Sequence, residues 1–169
     1  LDVIGYSLAG PPMVTTPTFA SLTSASATLG GTVVDGGGVA ITERGVVYSA
    51  TSTNAAPVIG GAGVTKISAS GTTGTFQVPV SGLSYLTQYS FKAYAINSKG
   101  TSYSTVAAFQ TLVPPPPTIS SFSPTSGMAY TAVFVNGTNF SGASAVQFNG
   151  TNADFAVITP GIISTICPS

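Results

Sequence analysis

The stretch LSYLTQYSFKAYAINSKGTSYSTVAAFQT, residues 83–111, decides how this chain folds. Tyr89, Phe91, Ala93 and Ala95 alternate in it with Ser90, Lys92 and Tyr94. A period of two puts the first set on one face of an extended strand and the second on the other, the pattern of a strand with one buried face. Asn97-Ser98-Lys99-Gly100 then supplies turn residues before the alternation resumes, so the segment reads as a β-hairpin. Working outward, ATLGGTVV (27–34) places Ala27, Leu29 and Val33 on one face, and TFQVPV (75–80) does the same with Phe76, Val78 and Val80. DGGG (35–38) has no helix behind it and reads as a turn rather than a phosphate cradle.

The composition points the same way. Among 169 residues there are 20 Gly and 12 Pro, with abundant Thr and Val, which suits many short strands joined by tight turns. The fold class is all-β. The charged residues are four basic (Arg44, Lys66, Lys92, Lys99) and four acidic (Asp2, Asp35, Glu43, Asp154), which leaves no electrostatic footprint for nucleic acid or an anionic membrane. No apolar run approaches the 18 or so residues of a membrane span. With 5% charged residues and a net charge of zero, little keeps copies apart, so association is the expected tendency.

The chemistry of the chain is sparse. With no His and one Cys, a zinc site, a Ser-His-Asp triad and a Cys-His pair have no residues to build them. Four scattered carboxylates make neither a glycosidase pair nor a calcium loop. The expectation is a non-enzymatic protein with no catalytic residue, metal ligand or cofactor. Cys167, in IISTIC (162–167), shares a strand face with Ile163 and Thr165 and reads as a buried small hydrophobe rather than a reactive thiol.

Four consecutive prolines in VPPPPT (113–118) cannot donate ladder hydrogen bonds and favour a stiff spacer. A second break, AGPPMVTTP (9–17), sets off the opening segment. The organisation expected is an N-terminal strand or arm at 1–10, a first domain at 11–112, a proline linker at 113–117 and a second domain at 118–169.

The quoted stretch 83–111 resembles a fibronectin type III-like domain, and ITERGVVYS (41–49) resembles a variant common in bacterial surface proteins. Tyr89, six residues after Leu83, falls where that family keeps its tyrosine corner. The chain departs from the family in having no Trp. After the prolines, SFSPTSG (121–127), VFVNGTNF (133–140) and AVQFNGT (145–151) resemble an IPT/TIG domain, an immunoglobulin-like sandwich. Val133 and Val135 alternate with Phe134, NGTNF bends the chain, and Val146 with Phe148 forms the next inward pair. The resemblances imply two tandem immunoglobulin-like β-sandwiches. Residues 118–169 fall well short of the roughly 100 residues of a complete sandwich. The second is therefore expected to be incomplete, with an open acceptor groove lined by Val133, Val135, Phe148, Ile163 and Cys167.

The opening segment LDVIGYSL (1–8) has no initiator Met and no basic leader, and this end reads as processed or excised. Ile4, Tyr6 and Leu8 lie on one strand face, Leu1 and Val3 on the other, with Gly5 where close backbone approach is tolerated. One reading makes it a donor strand for the groove of another copy, giving an extracellular homopolymer. The other rests on a similarity to the closing segment of secreted zinc metallopeptidase domains, often written ALDVIGY. That resemblance carries over no catalytic residue. It implies a local remnant of a catalytic domain. The fibronectin type III-like and IPT/TIG resemblances, to families that often serve as spacers and binding modules, imply a second function: an adhesive or carbohydrate-binding accessory region of a larger secreted enzyme, with cell-surface polysaccharide as partner. A plain spacer is the third reading. Sequons at Asn136, Asn139 and Asn149 are possible glycosylation sites, although turn chemistry alone accounts for Asn-Gly at 136–137 and 149–150. Tyr85, Tyr94 and Tyr103 read as exposed and are candidates to stack on sugars, although such residues more often simply fill strand positions.

Overall fold

A computed structural model describes residues 8–169. The chain divides into two compact units, Leu1–Val113, described from Leu8, and Pro114–Ser169. Both are built of strands.

In the first unit β1 (Met13–Ala20), β2 (Ser26–Asp35) and β5 (Gly74–Ser81) form one antiparallel sheet in the order β1-β2-β5. The facing sheet runs β4 (Thr65–Ala69), β3 (Ile41–Ala50), β6 (Gln88–Asn97), β7 (Gly100–Tyr103), with β8 (Ala107–Gln110) also on β6. The alternating residues of the quoted stretches meet between the sheets. Ala27, Leu29, Val33, Phe76, Val78 and Val80 from one side pack against Val46, Phe91, Ala93 and Ala95 from the other, all buried. Apolar side chains at period two, removed from water by the opposite sheet, are what holds such a sandwich together.

The hairpin expected at 97–100 is present, closed by the Asn97–Gly100 pair. Tyr89 forms the expected corner: its hydroxyl accepts the Ser84 N–H at 3.0 Å while its ring stacks on Phe109 at 5.6 Å. β7 and β8 are two halves of one edge strand. Where the ladder breaks between them, the Ser104 Oγ takes the Ala93 N–H at 3.0 Å, so the buried donor is not orphaned.

One boundary differs from the sequence reading. Residues 13–17 do not form a break; they belong to β1. Pro17 falls in the register shift between Thr15 and Thr18, where the strand makes no regular ladder bond for it to remove.

The second unit contains a four-stranded antiparallel sheet, β13 (Phe155–Thr159), β14 (Ile162–Ile166), β10 (Ala132–Thr138), β9 (Thr118–Ser123), in that order. A two-stranded hairpin, β11 (Val146–Phe148) and β12 (Thr151–Ala153), forms the other layer with a 3-10 turn at Phe140–Gly142. Asn136–Gly137, expected as a turn, lies inside β10. The glycine is needed there because a Cβ would come within 1.9 Å of the Thr118 carbonyl oxygen. Asn149–Gly150 does form a turn, both residues having positive φ (46° and 84°), as a two-residue hairpin loop requires.

Candidate functional site

The inner face of the four-stranded sheet carries Val133 and Val135 from β10 and, opposite them in register, Thr165 and Ile163 from β14. Phe140, Ala143, Val146 and Phe148 pack against this face. Thr165, the polar member, is satisfied by donating to the Asp154 carbonyl at 2.8 Å. This layer covers only part of the sheet.

The uncovered part lies over β9. A register shift pairs Phe122 with Val135 and Ile119 with Gly137, leaving Ser120 as the extra residue. The Ser120 Oγ donates to the Asn136 carbonyl at 3.1 Å. The bulge puts Ile119 and Phe122, three residues apart, on the same inward side. They remain 67% and 50% exposed. Two depressions lie between them and the β11 layer. One, of about 150 Å³, is walled by Phe122, Pro124, Val133, Phe148 and Cys167. The other, of about 200 Å³, is walled by Ile119, Val135, Phe140, Val146 and Ile163.

Among the described residues β11 pairs only with β12, so its other edge is free. In a two-residue hairpin the residues flanking the loop exchange ladder bonds, and bonded and non-bonded pairs then alternate. Phe148 and Val146 thus spend their main-chain groups on Thr151 and Ala153. The N–H and C=O of Gln147 point to the open side. Its side chain bonds Asn152 Oδ1 at 2.9 Å.

Of the five residues expected to line one open groove, Val133, Phe148 and Cys167 border the first depression and Val135 and Ile163 the second, and Val133, Val135 and Ile163 are themselves buried. Cys167 is half-buried, beyond the end of β14. The sequence reading missed Ile119 and Phe122, because their spacing of three breaks the period of two and only the bulge reunites them. Leu1, Val3, Ile4 and Tyr6 lie outside the described residues. Leu8 is 79% exposed. Two residues later the chain is tied down: the Gly10 N–H donates to the Gly37 carbonyl and the Asn97 Nδ2 donates to the Gly10 carbonyl, both at 2.8 Å.

The three sequon asparagines occupy different settings. The Asn136 amide is half-buried and bonds Ser121 Oγ at 3.3 Å; Asn139 bonds the Pro116 carbonyl at 3.1 Å; Asn149 is exposed at the hairpin tip. Of the tyrosines, Tyr85 is exposed and Tyr103 half-buried. Tyr94 is a correction: it is fully buried and presents no face to a sugar. Its hydroxyl donates to Glu43 Oε1, which also receives Lys66 Nζ at 2.9 Å and Ser68 Oγ at 3.2 Å. Burial, then the bond to Glu43, pushes the Tyr94 hydroxyl up to about 12. The bonds from Tyr94 and Lys66 hold the Glu43 carboxyl below its ordinary value. Among the described residues no group of His, Cys, Asp and Glu is placed to hold a metal ion, and no helix is long and apolar enough to cross a membrane.

Among solved structures the chain is similar to the sensor domain of the anti-sigma factor RsgI4 of Pseudobacteroides cellulosolvens, at 20% identity and a TM-score of 0.45, over 62% of this chain and 98% of that one. It is similar to the third fibronectin III domain of human KIAA0343 protein, at 19% identity and a TM-score of 0.45, over 73% and 95%. A third similarity is to the FN1-FN3 domains of chicken CNTN1, at 16% identity and a TM-score of 0.44, over 79% and 43%. No curated protein matches the chain. Nothing in these likenesses supports the peptidase resemblance of residues 1–8. The unit that carries the open strip is placed more directly: residues 117–169 match the IPT/TIG domain family.

Proposed function

We propose that this protein is a non-enzymatic, extracellular structural subunit that polymerises head to tail, residues 1–8 of one copy covering the open strip of the second unit of the next. The observation that carries the reading is the strip itself: half-exposed Ile119 and Phe122 beside two apolar depressions and a free strand edge. An apolar row flanked by unpaired main-chain groups favours strand addition, because one added strand removes the apolar surface from water and satisfies the backbone together.

The opening segment has the composition for this. Ile4, Tyr6 and Leu8 supply one apolar face, and residues 1–10 reach about 33 Å when extended. Gly10 is the fixed point on the first unit from which that length is measured. Donor and acceptor are different segments of one chain, so each contact is heterologous and the series extends as a filament. A surface with 5% charged residues opposes this packing little.

The test compares the full chain with one lacking residues 1–8, by electron microscopy and sedimentation. The expected result is filaments from the full chain and monomers from the truncated one, with both showing the same circular dichroism. Identical association behaviour of the two proteins would overturn the proposal and favour an accessory or spacer role.

A further inference from the structure

We infer that the donated strand seats on the free edge of β11, hydrogen-bonded to Gln147, with alternate side chains dropping into the two depressions between β11 and β9. This rests on the strand-donation reading above and adds to it the edge, the pairing residue and the face.

Four strand edges in the second unit are open among the described residues: those of β9, β13, β12 and β11. Addition outside β9 or β13 extends the four-stranded sheet sideways and leaves the inward sides of Ile119 and Phe122 wet. Both depressions have β9 and β10 as floor and β11 as one wall, through Val146 in one and Phe148 in the other. A strand laid beside β11 in its own layer therefore roofs both at once, which no other edge offers. Val146 and Phe148 are two residues apart, so the depressions repeat at the spacing of same-face side chains on a strand. Successive members of the series Ile4, Tyr6, Leu8 match that repeat. Gln147 supplies the N–H and C=O that face the newcomer.

Cys167 walls the first depression and is the chain's only cysteine, which makes it a reporter. Single cysteines are placed at positions 4, 6 and 8 (Ile4→Cys, Tyr6→Cys, Leu8→Cys) and at the intervening 3, 5 and 7 (Val3→Cys, Gly5→Cys, Ser7→Cys). Assembled protein is treated with a mild oxidant and run on a non-reducing gel. At least one variant of the first set should give a ladder of covalent oligomers, lost when Cys167→Ser is added, and the second set should give none. Filaments that form but show no ladder, or show it only in the second set, would overturn the seat while leaving strand donation standing. Absence of filaments from the unmodified chain would overturn both. As a second measurement, Gln147→Pro removes the edge N–H without touching the β12 ladder. It should raise the concentration needed for assembly at least ten-fold, whereas Gln147→Ala should change it less than two-fold; equal behaviour of the two would count against β11 as the edge.

Discussion

Arg44 is buried at 7% exposure with no carboxylate partner among the described residues, and it spends its guanidinium on main-chain carbonyls. Nε and Nη2 donate to Ser70 at 2.9 and 2.6 Å, and Nη1 to Thr72, Thr73 and Gly74 at 3.1, 2.9 and 3.2 Å. The same group lies 4.9 Å from the centre of the Phe76 ring. It thereby fixes the loop from β4 to β5. Its neighbours in the ITERG run have equally local tasks: Thr42 Oγ1 donates to the Ile96 carbonyl at 3.1 Å, and a Cβ on Gly45 would come within 2.0 Å of the Ile67 carbonyl oxygen. A run that looks like a motif is thus accounted for by folding alone. Arg44→Met keeps the apolar stem and strands the carbonyls, and should cost about 2–3 kcal/mol in urea unfolding, since bonds from a charged donor are each worth about 1.5–3 kcal/mol. Tyr94 gives a prediction in pH. Its hydroxyl holds its proton to about 12 in the fold, against an ordinary 10.0. The unfolded chain therefore ionises first, so this contribution is whole below pH 10 and is lost as pH rises toward 12. Thermal melts of Tyr94→Phe should show a shallower alkaline decline than those of the unmodified protein; parallel declines would remove Tyr94 as the cause.

The core-facing sides of β2, β5 and β6 were legible in the sequence, because burial of that face leaves a direct mark at period two. What escaped the sequence lies where a bulge resets the phase. β9 reads as TISSFS with no period, and only its register against β10 turns Ile119 and Phe122 the same way. Pro17 misled for a related reason, sitting in an irregularity of β1. Tyr94 misled because its outward face is covered by the Glu43 and Lys66 side chains rather than by the core, and neighbours on an adjacent strand are invisible to a one-strand pattern. Asn-Gly at 136–137 was read as a turn, yet the glycine serves close approach of β9 to β10. Gly137→Ala would meet the Thr118 carbonyl at 1.9 Å and the Phe140 ring at 2.5 Å, whereas Gly142→Ala meets nothing within 4 Å. The first should destabilise the second unit by about 2–4 kcal/mol, in the range of overpacking and strain, and the second by less than about 1 kcal/mol. Hydrogen exchange of β10 amides distinguishes them.

At the scale of the whole molecule the two units differ in how far each closes its own interior. In the first, apolar residues from both sheets bury one another from Val14 through Phe109. In the second, the buried apolar set is Val133, Val135, Phe140 and Ile163, with Ile119 and Phe122 left half in water. Covering the exposed half to two-thirds of those two side chains is worth about 1–2 kcal/mol each, before the cost of ordering the added strand. This imbalance is the molecule's distinctive physical feature. Electron cryo-microscopy of the assembled protein measures its consequence directly. The account predicts an extra strand beside β11, over Ile119 and Phe122, whose side chains read as residues 1–8 of the adjacent subunit. A strip roofed by residues of its own polypeptide, or left bare in the assembly, would contradict it.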